Sequence, residues 1–265
     1  MNYNNKLYLS KLAVIGVVLV LMSFNLFSQN DSLNIKDYSI FKKNHWTFSA
    51  TPHLLEKSNI IPFSDGSHIN SKSSFSTIFG VTHTFNIKNK HGILIGIKTG
   101  KVKNKISFNI EDDANGISMF HNETHETASY FSFPILYEYR FYFKERLLIN
   151  TTAGINIRHN IARDPSFRVT MLDPPFEYRE EYDHLGVDYL NYNIGGGVLY
   201  KLKNNNLIRM NIVSNISFYD ELFGVYAFSF PGNESYGANV LRMSYIGLEL
   251  GFTFTRAKRK SQEKE

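Results

Sequence analysis

At 265 residues the chain is long enough for one large domain or two small ones, and it is rich in aromatics, with 22 Phe and 16 Tyr. It has no Cys, which excludes disulfide frameworks, thiolate metal sites and cysteine nucleophiles. Its formal net charge of +5 raises the question of nucleic acid, while a slightly negative mean hydropathy excludes a bundle of membrane helices but not a membrane barrel, whose lumen and loops are polar.

The chain opens on Lys6 and Lys11, followed by an uncharged apolar run from Leu12 to Leu26. Leu26 and Ser28 suit the −3 and −1 positions of a cut before Gln29. The run is about 15 residues, short of the ~20 that a spanning helix needs. Residues 1–28 are therefore expected to be a cleavable export signal. A polar segment, 29–43, follows it.

From there the sequence falls into alternating runs, and a period of two marks strands with two unlike faces. Eight such runs are expected: 44–54, 75–87, 92–103, 128–141, 146–158, 189–202, 207–218 and 241–255. In the fourth, Phe131, Phe133, Ile135, Tyr137, Tyr139 and Phe141 oppose Tyr130, Ser132, Pro134, Leu136, Glu138 and Arg140. In the fifth, Ile149, Ala153, Ile155 and Ile157 oppose Asn150, Thr152, Gly154 and Asn156. In the seventh, Ile208, Met210, Ile212 and Ile216 oppose Arg209, Asn211 and Asn215. In the last, Ile246, Leu248, Leu250, Phe252 and Phe254 oppose Tyr245, Gly247, Glu249, Gly251 and Thr253. The second is the least regular, since His83 falls on its apolar face. Large apolar residues on one side and charges on the other suit a strand between lipid and a polar lumen.

Connections alternate strictly between long and short. The short ones are Lys88–His91, Tyr142–Glu145 and Lys203–Asn206; the long ones are 55–74, 104–127, 159–188 and 219–240. Short periplasmic turns and long extracellular loops are the bacterial pattern. The expected fold class is all-β, an eight-stranded antiparallel transmembrane up-and-down β-barrel over 44–255. Both termini would lie in the periplasm, with a basic tail at 256–265.

Charge divides along the same axis. Loops 104–127, 159–188 and 219–240 hold fifteen acids against four bases. Lys88, Lys90, Lys144, Arg146, Lys201 and Lys203 border the short turns. The bases are thus dispersed at one end, and no basic patch with interleaved aromatics suggests nucleic acid. The expected partners are outer-membrane lipid, lipopolysaccharide and other envelope proteins, with the barrel itself monomeric.

Several residues invite a chemical reading. Lys98, Glu138, Arg140, Arg158, Lys201, Arg209 and Glu249 fall on the lumen face. An eight-stranded barrel is just wide enough for its own side chains, so they are expected to form an ionic plug, not a conduit. His121 and His125 have the spacing of a helical zinc pair, yet they lie in an expected loop beside Gly116, with no third ligand. Ser214-Asn215 faintly resembles a deacylase motif, but Ile212 stands where the activating His would be. No catalytic, metal or cofactor residue is therefore expected. Carboxylates such as Glu180, Glu181 and Asp183 could hold Ca²⁺ or Mg²⁺ weakly and order loop 159–188; plain solvation is the alternative. Trp46, Tyr139, Phe141, Tyr200, Phe252 and Phe254 at one set of strand ends, and Phe75, Phe131, Tyr192 and Phe218 at the other, read as interface girdles. Arginine at Ile135 or Leu250 should harm the barrel more than arginine at Ser132.

The segments Ser132–Tyr139 (SFPILYEY), Ala153–Asn156 (AGIN), Gly195–Leu202 (GGGVLYKL) and Tyr245–Phe254 (YIGLELGFTF) resemble the PorT-like outer-membrane β-barrel domain family, over roughly 44–255. The resemblance implies an eight-stranded barrel in the outer membrane of a Gram-negative cell, and it supplies no catalytic residue. One departure is that Phe254, in the place of the terminal aromatic that commonly signals assembly, is followed by eleven more residues. The expected role is structural, adhesive or in secretion assembly. The alternative is an enzyme acting on lipid A or peptides at the outer rim, which would need an outward His–Ser or His–Asp pair.

Overall fold

A computed structural model describes residues 38–64, 69–112, 117–144, 146–161, 166–171, 177–183, 188–220, 222–230 and 233–255. The expected cut before Gln29 and the tail 256–265 lie outside them. The chain divides into two units, Met1–Ser39 and Ile40–Glu265, and the strands belong to the second.

After a 3-10 turn at Tyr38–Lys42 come β1 (His45–Leu55), β2 (Asn59–Pro62), β3 (Ile69–Lys72), β4 (Ser74–Lys88), β5 (His91–Asp112), β6 (Ile117–Lys144) and β7 (Leu147–Asn160). They are followed by β8 (Ser166–Met171), β9 (Glu177–Asp183), β10 (Asp188–Lys201), β11 (Leu207–Ile216), β12 (Leu222–Phe230), β13 (Asn233–Leu241) and β14 (Tyr245–Phe254). Eight of these close a ring of antiparallel neighbours in the order β1, β4, β5, β6, β7, β10, β11, β14. The closing ladder runs from Trp46↔Phe254 to Leu55↔Tyr245. Each of the eight overlaps one of the expected runs, so the expected barrel is the observed one.

Alternation decides the faces. On β6, Phe131, Phe133, Ile135 and Tyr137 are exposed to the outside, whereas Ser132, Glu138 and Arg140 on the alternate face are buried within the ring. Ile246, Leu248 and Leu250 on β14 are exposed, with Glu249 and Thr253 inside. This is the reverse of a soluble barrel, which hides its large apolar residues and exposes its charges.

Among the described residues, the long connections are largely strand. Within 104–127, expected to be a loop, residues 104–112 and 117–127 continue β5 and β6, paired as far as Asp112↔Ile117. The 22 residues of β5 extend about 70 Å at a 3.3 Å rise, far beyond the ~25 Å apolar band of an outer-membrane barrel. The other three connections hold β2, β3, β8, β9, β12 and β13. β2, β13, β12, β9 and β8 form a second sheet in that order. These five strands repeat the order of β1, β14, β11, β10 and β7, from which each continues. The β1–β14 ladder passes through a hydrogen bond from Glu56 N to Ser244 O and resumes at Asn59↔Val240, one residue out of step. Met243 takes up the kink, with a positive φ of 52°. For this reason the last barrel strand begins at Tyr245, not at residue 241. The second sheet extends the wall as a collar.

Candidate functional site

Among the described residues, chemistry gathers in the lumen and at the collar end of the wall. Inside the ring, buried polar and charged side chains meet at several levels. Near the short turns, Phe41 is buried and its ring lies 4.3 Å from the Arg140 guanidinium carbon. Arg140 Nη1 donates to Asn86 Oδ1 at 2.7 Å and its Nε to Glu138 Oε2 at 2.5 Å. Arg209 Nη2 lies 2.6 Å from the other oxygen of Glu138, which also accepts from Asn150 Nδ2 at 3.3 Å. One carboxylate thus faces two guanidiniums, all three side chains being buried, and Thr47 and Thr253 close the β1–β14 side with a 2.7 Å hydroxyl contact.

At mid-height Lys98 Nζ donates to Glu249 Oε2 at 2.8 Å, a pair separated by 151 residues in the chain. Above it, Asn156 bonds Asn215 at 3.3 Å, and Arg158 lies 4.7 Å from the Tyr130 ring centre while donating to the Met243 carbonyl at 3.3 Å. An apolar cluster that includes Leu55, Ile78, Val102, Val213 and Met243 caps this level. Arg209 Nη1, Asn150 Oδ1 and Asn211 Oδ1 are buried without a protein partner among the described residues, which suits internal water. The ionic plug expected from the sequence is therefore present, with one correction. Lys201 is half-exposed at the end of β10, where its N–H donates to the Arg146 carbonyl, and is not buried with the others.

The remaining candidates separate. His121 and His125 lie in strand β6, paired with Asn109 and Lys105, instead of in a loop. Ser214 sits in the apolar belt, paired with Ile194 and Ile246, and the exposed Ile212 stands two residues away. Glu180 and Glu181 belong to β9, paired with Arg168 and Phe167 on β8. Within the expected loop, residues 166–171 and 177–183 thus form a strand pair. The girdle aromatics Trp46, Tyr200 and Phe254 are exposed at the short-turn end, and Phe75, Phe131, Tyr192 and Phe218 at the collar end.

The structure also shows a pair that the sequence reading missed. His159 on β7 and Asp188 on β10 stand opposite each other at the collar end of the belt, with Nδ1 and Oδ1 2.9 Å apart and both side chains exposed. Only strand register could have revealed it. Among the described residues no hydroxyl bonds the His159 ring. In the collar, Tyr226 is buried beneath β13, and burial raises its phenol above the ordinary value.

No family model matches the chain and no curated protein matches it, so the PorT-like resemblance stays at the level of the segments that suggested it. Solved structures do match. They include OprG from Pseudomonas aeruginosa, with 11% identity over 80% of this chain and 97% of that one and a TM-score of 0.45. Neisserial surface protein A matches at 7% identity over 81% and 99% (TM-score 0.38), and AlkL in lipid bilayers at 12% over 81% and 92% (TM-score 0.36). Closure of eight antiparallel strands, with apolar side chains outward and charges inward, gives this chain the fold of an outer-membrane β-barrel.

Proposed function

We propose that the protein is an integral outer-membrane barrel with a closed lumen, which holds its extended collar at the cell surface as a structural, adhesive or secretion-assembly component. The observation that carries this reading is the inverted wall: Glu138, Arg140 and Arg209 are sealed inside while Phe133, Ile135 and Leu250 are exposed outside. A lumen crossed by buried ion pairs favours work by the surface over work by a channel. The PorT-like segments favour the assembly form of that role, by analogy alone.

The chain has no Cys, so single cysteines can report its topology. Asn59→Cys in the collar should react with a membrane-impermeant maleimide on intact cells. Asn204→Cys, in the turn between β10 and β11, should react only after the outer membrane is opened. Labelling of Asn204→Cys on intact cells reverses the orientation, and recovery of the protein in the soluble periplasmic fraction removes the membrane reading.

A second reading has one observation in its favour. The His159–Asp188 pair faces outward at the collar end of the belt, the arrangement that a rim hydrolase acting on lipid needs for its base. Ser129 on β6 lies two residues from Phe131, the residue paired with His159. Release of fatty acid from outer-membrane lipid by the purified protein, lost in both His159→Ala and Ser129→Ala, would establish this reading.

A further inference from the structure

The outward face of β5 changes character between belt and collar. Ile95 and Ile97 are exposed in the belt, Thr99 follows, and Lys101 and Lys103 come next on the same face, both exposed. Residues two apart on a strand share a side at about 6.6 Å spacing, so Lys101 lies roughly 13 Å along the strand from Ile97. The upper edge of the belt here is marked by the exposed rings of Phe75 and Phe131.

The row is held firmly. Ser76 Oγ donates to the Lys101 carbonyl at 2.5 Å, and Ser74 Oγ donates to the Lys103 carbonyl. On β6 the residues paired with Lys101 and Lys103 are Ser129 and Thr127, hydroxyl-bearing and not acidic. Lys105 extends the row, opposite Lys72 on β3. A cationic row thus stands directly above lipid-facing apolar residues, at an end of the molecule where three of the four long connections are acidic.

We infer that Lys101 and Lys103 bind the phosphate groups of lipid A in the outer leaflet. This site rests on the outer-membrane reading above. The depth matches the chemistry: ammonium groups meet phosphate at the headgroup level, with the Phe75 ring beside them at the belt edge, while the acyl chains of the same lipid lie along Ile97 and Phe131. A lysine near an anionic membrane surface contributes about 1 kcal/mol, roughly fivefold in affinity. The row also offsets the repulsion between an acidic collar and an anionic leaflet, which acts within a Debye length of about 8 Å.

The test uses the full chain, refolded and shown to insert into phosphatidylcholine vesicles, then titrated in detergent and read by native mass spectrometry. The probes are bis-phosphorylated lipid A, lipid A stripped of phosphate, and inorganic phosphate. Wild type should retain bis-phosphorylated lipid A. The double variant Lys101→Gln with Lys103→Gln should lose about 25-fold in affinity by the fivefold step per lysine. Lys203→Gln, in the opposite turn, should bind as wild type. If the double variant fails to fold, the single Lys101→Gln should still lose about fivefold. Unchanged binding by the folded lysine variants overturns the site, as does equal binding of the phosphate-free lipid. Competition by inorganic phosphate at the lipid's own concentration reassigns the row to free anions and overturns the lipid assignment. A wild-type chain that never inserts into vesicles removes the membrane reading instead.

Discussion

Arg209 on β11 reaches across the lumen to Glu138 on β6, Nη2 to Oε1 at 2.6 Å, although β7 and β10 separate their strands in the wall. Glu138 accepts from Arg140 as well, so its removal leaves two buried guanidiniums facing each other. Glu138→Gln should cost about 3–5 kcal/mol, the range for breaking one side of a buried pair. Urea unfolding of the refolded protein measures it, and a loss below about 1 kcal/mol would show that the network does not brace the barrel.

The Lys98–Glu249 pair gives a sharper test, because both partners can be removed. Lys98→Met alone should destabilise by several kcal/mol, since Glu249 is then buried without its cation. Adding Glu249→Leu should recover most of that loss, because an apolar pair of similar size needs no partner. A double variant no better than the single one would mean that packing, not charge, governs the site.

Charge on the two faces should act differently from what the sequence suggests. Ile135→Arg and Leu250→Arg place a cation in lipid and should cost about 2–4 kcal/mol each. Ser132→Arg, expected from the sequence to be mild, should be at least as damaging. Ser132 is 2% exposed and pairs with Lys98 on one side and Arg158 on the other, so arginine there adds a third cation to a packed interior. Ser132→Asp should be milder than Ser132→Arg, and the reverse order in vesicle unfolding contradicts this arrangement.

The collar can be undone without touching the barrel. A Cβ at Gly237 would lie 2.6 Å from the Tyr226 hydroxyl and 2.8 Å from its ring. Gly237→Val should therefore loosen the β12–β13–β2 pairing. Protease added to intact cells should cut this variant within residues 219–240 much faster than wild type. The resistance of the folded barrel to heat and detergent should be unchanged. Equal cutting of both proteins would show that the collar is not a folded sheet at the cell surface.

Export makes a prediction of its own. Intact-mass measurement on protein from outer membranes should give a chain that begins at Gln29. Retention of Met1–Ser28 would convert the leader into an anchor.

The sequence by itself determined the part of this fold that is local. Alternation in Phe131–Phe141 and Tyr245–Phe254 set which side of each strand is apolar, because side-chain direction repeats every two residues whatever the neighbours are. Turn lengths then made successive strands antiparallel. The tertiary structure decided everything that depends on register between distant strands. Only closure of β1 on β14 brings Lys98 to Glu249 and Arg209 to Glu138, and only the β7–β10 ladder joins His159 to Asp188. The collar was hidden for a related reason. The segments Glu177–Asp183 and Leu222–Phe230 are nearly all polar in one case and nearly all apolar in the other, so neither alternates. They become strands because the wall beneath already presents unpaired backbone groups in the right order, and extending a ladder costs less than starting one.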